Sequence, residues 1–176
     1  LTFLGAADTV TGSRHLLKVG DQRLLLDAGL FQGYKALRER NWMPLGAPVG
    51  KIDAVRLSHA HLDHCGYLPA LRRQGFKGPI YATPATRDLC EVLLKDSAHL
   101  QEEDARRANR EHSSRHEKAL PLYGVREAEA TLKQFAALPR DGRLRLGATD
   151  IRYTPSGHLL GASSIHVSQG GRSLLF

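Results

Sequence analysis

The chain has 176 residues, of which 41% are hydrophobic and 24% charged, and its formal net charge at neutral pH is +7. No apolar stretch approaches the roughly 20 residues of a membrane-spanning helix, and two cysteines are too few for a disulfide framework, so both classes are excluded and a reducing, cytoplasmic setting is expected. The positive charge favours an anionic partner such as a nucleic acid, although many basic domains merely carry a solvated charged surface.

The first part of the chain predicts a sheet that begins with antiparallel strands. Three β-prone runs indicate strands at residues 2–5, 15–19 and 23–27, and a turn at residues 20–22 joins the last two. A further strand is predicted at residues 54–58. Residues 66–73 then have the spacing of a helix that ends before Gly75.

The second part predicts a long helix followed by more strands. Thr83 offers a capping hydroxyl and Pro84 is a suitable first helical residue, so a helix is expected to start there and to run beyond Lys95. The dense charges of both signs at residues 101–118 favour a solvated face or a mobile arm over an RNA-binding arm. A shorter helix is predicted next, at residues 126–135. Three strands follow, at residues 150–154, 163–168 and 172–176. The chain therefore reads as one α/β unit.

A short histidine-rich segment follows the predicted strand at residues 54–58. It reads His59-Ala-His-Leu-Asp-His64, which places four metal-competent side chains within six residues. Three imidazoles are more than one tetrahedral site draws from so short a loop, so the segment predicts two adjacent metal ions and a metal-activated water. The alternative is an exposed loop that binds metals adventitiously. The position between a strand and a helix, where α/β proteins bind what they act on, argues against that alternative.

This strand, His-x-His-x-Asp-His, helix arrangement resembles the signature of the metallo-β-lactamase superfamily. Residues 24–29 resemble its upstream strand that ends in an acidic residue, and residues 156–162 resemble its downstream histidine motif. Residues 4–13 and 121–125 resemble the β-CASP branch of RNA- and DNA-processing enzymes, which includes bacterial ribonucleases and the pre-mRNA 3′-end cleavage endonuclease. The resemblance implies an αββα sandwich, of which residues 1–176 are expected to be only the amino-terminal part.

The resemblance also implies parts that would follow Phe176. They are a carboxylate that bridges both metals, a late histidine and the β-CASP insertion. The chain starts at Leu1 and stops within a predicted strand, so both ends are expected to be cut. The second metal site would therefore be half built in this chain, and activity of the chain alone would be in question.

The predicted cofactor is a pair of Zn²⁺ ions. His59, His61 and His158 would supply three neutral imidazoles to the first ion and leave its fourth position to water. Asp63 and His64 would begin the second site. Asp63 would also orient the shared water and accept its proton.

Asp27 is the second predicted catalytic residue. Its strand is expected to end at the same sheet edge, where the carboxylate would accept the other ring N–H of a metal-bound histidine. The alternative is a turn aspartate that bonds its own backbone. His158 has its own alternative, an ordinary surface or core histidine, but flanking Gly157 and Gly161 and the need for a third imidazole favour a ligand.

The remaining histidines and the cysteines are assigned no metal role. Cys65 directly follows His64, where a thiolate could bind zinc, but a structural place beside the ligands is favoured because the histidines already fill the loop. Cys90 lies among leucines and is predicted to be a core residue. The histidines without a predicted ligand role are His15, His99, His112, His116 and His166.

The expected function is that of a zinc-dependent hydrolase, a ribonuclease that cleaves RNA through a metal-activated hydroxide in RNA processing or decay. Single-stranded RNA is the expected partner, held mainly through phosphates and metals because aromatic residues make up only 6% of the chain. One alternative is a hydrolase of a thioester, lactone or lactam on the same scaffold. Another is a non-enzymatic RNA-processing subunit. The mode of cutting, RNA against DNA, the natural metal and a homodimer all stay open.

Overall fold

The computed structural model describes residues 1–114, 116–139 and 142–176. Two β-sheets pack face to face, and helices cover the outer face of the larger sheet. The strands are β1 (Thr2–Phe3), β2 (His15–Val19), β3 (Gln22–Leu26), β4 (Ala54–Arg56), β5 (Ile80–Ala82), β6 (Phe135–Ala137), β7 (Arg143–Leu146), β8 (Thr149–Pro155), β9 (Ser163–Gln169) and β10 (Arg172–Leu175). The helices are α1 (Lys35–Glu39), α2 (Leu62–Cys65), α3 (Leu68–Arg73), α4 (Pro84–Arg110) and α5 (Val125–Leu132), with 3₁₀ turns at Arg40–Trp42 and Val49–Lys51. Within the described ranges, no helix is both long and apolar enough to cross a membrane.

The larger sheet has six strands in the order β1-β2-β3-β4-β5-β6, and the smaller one has four in the order β10-β9-β8-β7. The first two pairings of the larger sheet are antiparallel, and the pairings from β3 to β6 are parallel. Because parallel strands need crossover connections, α2 and α3 lie between β4 and β5, and α4 and α5 lie between β5 and β6. The carboxyl ends of β3 and β4 therefore meet at one edge of the sheet.

Two hydrophobic clusters hold these layers together. The inner cluster joins the sheets through Leu24 and Ala54 on one side and Ile151, Tyr153 and Ile165 on the other. The outer cluster packs the helices on the larger sheet, and its fully buried members include Leu57, Tyr67, Leu71, Cys90 and Leu94. The described residues thus form an α/β/β stack, which agrees with the predicted αββα sandwich for an incomplete domain.

The guanidinium of Arg56 is a charged group that is buried among the apolar side chains between the two sheets. It sits 4.0 Å above the ring of Tyr81, and within the described ranges none of its three nitrogens has a hydrogen-bond partner. Burial lowers the pKa of Arg56. The neighbouring Tyr153 and a cation–π contact with Tyr81 both favour the charged form of Arg56 between the sheets.

The predicted strands and helices are found with shifted boundaries, and three strands were missed. The predicted helix at residues 126–135 ends at Leu132, and Phe135 instead begins β6, which pairs with β5 in parallel. Strands β5 and β6 have three residues each, which is too few for the apolar pattern to distinguish a strand from a helix. The alternating Arg-Leu-Arg-Leu of β7 was a usable signal. The long helix ends at Arg110, so residues 101–110 of the charged run at residues 101–118 are helical.

Candidate metal centre

The ligand loop, residues 57–64, leaves the carboxyl end of β4 and turns into α2. His61 is the residue before the helix, with extended backbone, and Asp63 and His64 lie in its single turn. Asp27 follows the end of the neighbouring strand β3, and its backbone N–H donates to the carbonyl of Arg56 at 3.0 Å. His158 lies in the loop between β8 and β9 of the other sheet. The N–H of Ser163, the first residue of β9, donates to Ser58 O at 3.0 Å and joins this region to the ligand loop. The fold thus gathers all six predicted site residues, Asp27, His59, His61, Asp63, His64 and His158, at one edge.

Three imidazoles converge on one point. The Nε2 atom of His59 lies 3.1 Å from Nδ1 of His61, and Nε2 of His158 lies 3.3 Å from that same Nδ1. All three ligand atoms lie within 4.8 Å of one another. Two ligand nitrogens of a tetrahedral ion with bonds of 2.0–2.1 Å lie about 3.3 Å apart, so these spacings fit a common metal ion. His59 is buried whereas His61 and His158 are exposed, which leaves the point open to solvent on one side.

Ser58 determines which nitrogen of His59 faces that point. Its hydroxyl donates to Oδ2 of Asp27 at 2.8 Å, so the His59 Nδ1, which lies 3.0 Å from that hydroxyl, is the donor in the second contact. The unprotonated Nε2 is then left facing His61. Burial, followed by the neighbouring His64, lowers the pKa of His59 to about 4, so the ring is neutral near pH 7. A neutral imidazole with a free lone pair is the form that binds a metal.

Asp27 is the most connected polar residue of the site, and no part of it is exposed. Its Oδ2 accepts from Nδ1 of His64 at 2.6 Å and its Oδ1 accepts from the backbone N–H of Ser58 at 2.8 Å. Ser13 Oγ adds a longer contact of 3.3 Å. Sequence reasoning placed Asp27 beside a histidine but missed the two serines, although a hydroxyl residue directly before His59 was a visible signal.

His64 and Asp63 lie on the other side of His59. The rings of His59 and His64 are 4.0 Å apart, and Nε2 of His64 lies 3.5 Å from Oδ2 of Asp63. Burial by itself would lower the pKa of His64, but the hydrogen bond to Asp27 and the charges of Asp27 and Asp63 outweigh it, so the pKa is raised. With Nδ1 donating to Asp27, only Nε2 of His64 is free to bind a ligand.

The ligand loop is fixed to the segment that follows β3. Ala28 N–H donates to His64 O at 2.8 Å and Leu30 N–H donates to Leu62 O at 2.9 Å. Ser13, from the segment before β2, adds a third contact, its N–H donating to Asp63 O at 2.9 Å. These backbone contacts leave no room at Gly29, where an added Cβ atom would lie 1.6 Å from Asp63 O. The two segments therefore pack as closely as a glycine allows.

The His158 loop is anchored on the first turn of α4. The hydroxyls of Thr83 and Thr86 both donate to the carbonyl of Gly161, at 2.7 and 3.0 Å. Thr83 also accepts from the Thr86 N–H at 3.3 Å and so caps the helix. The carbonyl they hold is three residues from His158, and the α4 start therefore helps to fix where this ligand lies.

Replacing Thr83 with valine is expected to lower the zinc affinity and to destabilise the protein by about 1 kcal/mol, because the isosteric side chain removes the cap and the shorter of the two hydroxyl contacts to Gly161 O. The matched control, Thr83→Ser, keeps the hydroxyl and should restore both properties. Zinc titration against a competing chelator and urea unfolding measure the two effects. Equal zinc affinity of the valine and serine variants would show that the anchor does not act on His158.

Among the described residues, those that were given no metal role do not belong to the group of three converging histidines. Cys65 and Cys90 are fully buried in the outer hydrophobic cluster, and the Cys65 thiol donates to Ala60 O at 3.1 Å. Contact with Cys90, together with burial, raises the pKa of Cys65, which keeps it a thiol near pH 7. His15 packs between two phenylalanine rings, and His99 lies 3.4 Å from Glu103 on α4.

Comparison with known proteins decides the family. A sequence model of the metallo-beta-lactamase superfamily matches residues 10–176. The chain belongs to this superfamily. The match confirms the predicted family and fold, and with the histidine group it indicates a metal site at His59, His61 and His158.

Curated relatives of this superfamily member carry names from RNA biology. The chain is 40% identical over 172 residues to a protein of Thermus thermophilus named Ribonuclease TTHA0252, and this match covers 98% of the chain and 36% of that protein. It is 39% identical over 180 residues to the transcription termination factor FttA of Pyrococcus horikoshii, covering 97% of the chain and 26% of that protein. These relatives confirm the resemblance to the RNA-processing β-CASP branch. The chain spans about a quarter to a third of their length.

Solved structures support the fold alone. The metallo-beta-lactamase of Cronobacter sakazakii with an HARLDQ motif superposes with a TM-score of 0.60 at 24% identity, covering 99% of this chain and 54% of that one. The metallo-beta-lactamase fold protein YhfI of Bacillus subtilis gives a TM-score of 0.54 at 20% identity, with coverages of 99% and 60%. Such likenesses show the fold and carry no information on substrate.

Proposed function

We propose that residues 1–176 form the amino-terminal part of the metallo-β-lactamase domain of a cytoplasmic, zinc-dependent ribonuclease that hydrolyses phosphodiester bonds of single-stranded RNA. The observation that carries the proposal is the convergence of His59, His61 and His158. Asp63 and His64 follow in the same ligand loop. The similarity of nearly the whole chain to a protein named as a ribonuclease supports RNA as the substrate. The net charge of +7 is in keeping with a polyanion.

In this proposal the three converging histidines hold one zinc ion, and Asp63 and His64 hold a second. The donor set fits, because imidazole nitrogens and a carboxylate are the ligands that zinc prefers, and each imidazole has a free nitrogen at the site. Further ligands of the second ion would come from outside residues 1–176. When bound, the pair of ions supplies an acidified water and offsets the negative charge that develops on the phosphoryl oxygens.

The chain's own residues prepare this site for an in-line attack on phosphorus. Asp63 lies in the ligand loop two residues after His61, with its carboxylate 3.5 Å from Nε2 of His64. In this proposal that carboxylate orients the attacking water and accepts its proton. Ser58 fixes the His59 ring so that Nε2 faces the site, and Asp27 does the same for His64. The charge of the buried Asp27 also favours cations at this sheet edge.

The alternatives have less support. No observation favours a thioester, lactone or lactam as substrate, since the likeness to lactamases is one of fold. A non-enzymatic subunit is disfavoured because His59, His61, Asp63 and His64 are all present in the ligand loop, and His59, His61 and His158 lie together.

The direct test is cleavage of end-labelled single-stranded RNA by the protein at its natural full length, with added zinc and with a chelator. Zinc-dependent cleavage is expected, and the product lengths separate internal from stepwise cutting. A folded, zinc-loaded protein that leaves RNA intact would overturn the proposal. Thioester and lactam substrates would then be assayed with the same preparation.

Replacing Asp27 with asparagine is expected to weaken zinc binding by about 10- to 100-fold. The neutral amide removes the negative charge that favours cations. It also has one acceptor oxygen, whereas the two carboxylate oxygens of Asp27 together accept from His64, Ser58 and Ser13. Zinc affinity is measured by titration against a competing chelator. The control is Asp53→Asn, a carboxylate that also accepts a backbone N–H, from Arg23 at 2.6 Å, at the opposite end of β4. Equal zinc affinity of both variants would contradict the assignment of Asp27.

A further inference from the structure

The segment at residues 30–43 leaves β3 beside the ligand loop and folds back on itself. At its start, Leu30 pairs with Leu62 of the ligand loop. Near its end, the Asn41 amide bonds the backbone of Phe31 twice, accepting from its N–H at 2.9 Å and donating to its carbonyl at 2.8 Å. Arg14 adds a further contact, donating to the Asn41 oxygen at 2.8 Å. Both ends of the segment are therefore fixed next to the metal centre.

Two aromatic side chains of this segment are exposed. Tyr34 is 85% exposed, and Trp42, the one tryptophan of the chain, is 57% exposed. Three residues span at most about 11 Å, so Tyr34 stays within that reach of Phe31, and Trp42 directly follows the anchored Asn41. Both rings therefore extend from a segment that is hydrogen-bonded to the ligand loop, and exposed aromatic rings are available to contact a bound strand.

The same segment is basic. Lys35, Arg38 and Arg40 outnumber its single acid, Glu39, which gives residues 34–42 a formal charge of +2. The Lys35–Glu39 pair is a loose surface contact of 3.8 Å, with both side chains more than half exposed. The guanidinium of Arg40 stacks on Phe31 at 4.2 Å, which places a cation over the anchored start of the segment.

We propose that Tyr34 and Trp42 form a stacking platform for bases of single-stranded RNA, with Lys35, Arg38 and Arg40 contacting its phosphates, a few nucleotides from the bond that is cut. Rings stack on any base and cations pair with any phosphate, so such a surface holds a strand without reading its sequence. The inference rests on the proposed ribonuclease function and deepens it. It also revises the expectation that stacking plays a minor part, which followed from the low aromatic content of the whole chain rather than from where the rings lie.

The test uses the full-length protein with a fluorescent 12-nucleotide RNA, in chelator so that the strand stays intact during anisotropy measurements. Tyr34→Ala and Trp42→Ala are each expected to weaken binding on the order of tenfold, and Tyr34→Phe and Trp42→Phe to restore it. Leu100→Ala is the control, because Leu100 is a similarly exposed apolar residue, at 52%, on α4. Lys35→Gln and Arg38→Gln should reduce the salt dependence of binding.

A second readout separates the platform from the metal chemistry. Bis(p-nitrophenyl) phosphate is a phosphodiester without bases, and the alanine variants are expected to hydrolyse it at the wild-type rate. Wild-type cleavage of RNA with unchanged affinity in both alanine variants would overturn the platform and leave the ribonuclease standing. Loss of thermal stability in those variants without loss of RNA affinity would also overturn it, because another part of the protein would then cover the rings. Failure of the wild-type protein to hydrolyse either substrate would instead overturn the proposed function.

Discussion

Replacing Asp63 with asparagine is expected to lower the rate of RNA cleavage by about 10²- to 10⁴-fold at saturating zinc, with the fold unchanged. Asparagine has the same shape as aspartate but carries no charge and accepts no proton. The side chain is only partly buried, in the single turn of α2, so the exchange creates neither a cavity nor a clash. A deficit that persists when zinc is saturating assigns Asp63 to the chemical step as well as to metal binding.

Single-turnover cleavage of end-labelled RNA measures this effect, and metal analysis of the same sample gives its zinc content. The matched control is Asp21→Asn in the exposed turn between β2 and β3, which should cleave at the wild-type rate. A rate for the Asp63 variant within threefold of the control would remove Asp63 from the mechanism.

Replacing Gly29 with alanine is expected to destabilise the protein by about 3 kcal/mol or more and to weaken zinc binding. The added Cβ would lie 1.6 Å from the carbonyl oxygen of Asp63 and 2.1 Å from its carbon. These are backbone atoms, so no side-chain rotation relieves the overlap. The ligand loop must then move away from the segment after β3, which also breaks the contact between Ala28 and the His64 carbonyl.

Urea unfolding and zinc titration of the two glycine variants check this result. Gly50→Ala is the control, since its added Cβ meets nothing within 4 Å and its backbone is not in the left-handed region. Its stability should stay within about 0.5 kcal/mol of the wild type. If Gly29→Ala unfolds at the same urea concentration as Gly50→Ala, the close packing of the ligand loop is not a source of stability.

The parts of the fold that the sequence predicted share a local signal. Strands β2, β3, β8 and β9 have five to seven residues each, long enough for their apolar pattern to be recognised. Strands β5 and β6 have three residues each and owe their existence to pairing with a neighbour, which no local pattern encodes. The true end of α5 at Leu132 was missed for the same reason, because the β6 pairing draws Phe135 into the sheet.

The residues of the candidate metal centre differ in the same way in how far local sequence predicts them. The ligand loop was predictable from local sequence, because His59, His61, Asp63 and His64 lie within six residues between a strand end and one helical turn. His158, 97 residues from His61, joins the histidine group through the tertiary structure, as does Asp27 in its contact with the ring of His64. These contacts join side chains from different strands and loops, and their geometry is set by sheet pairing and by packing between the layers, which act over distances in space rather than along the chain.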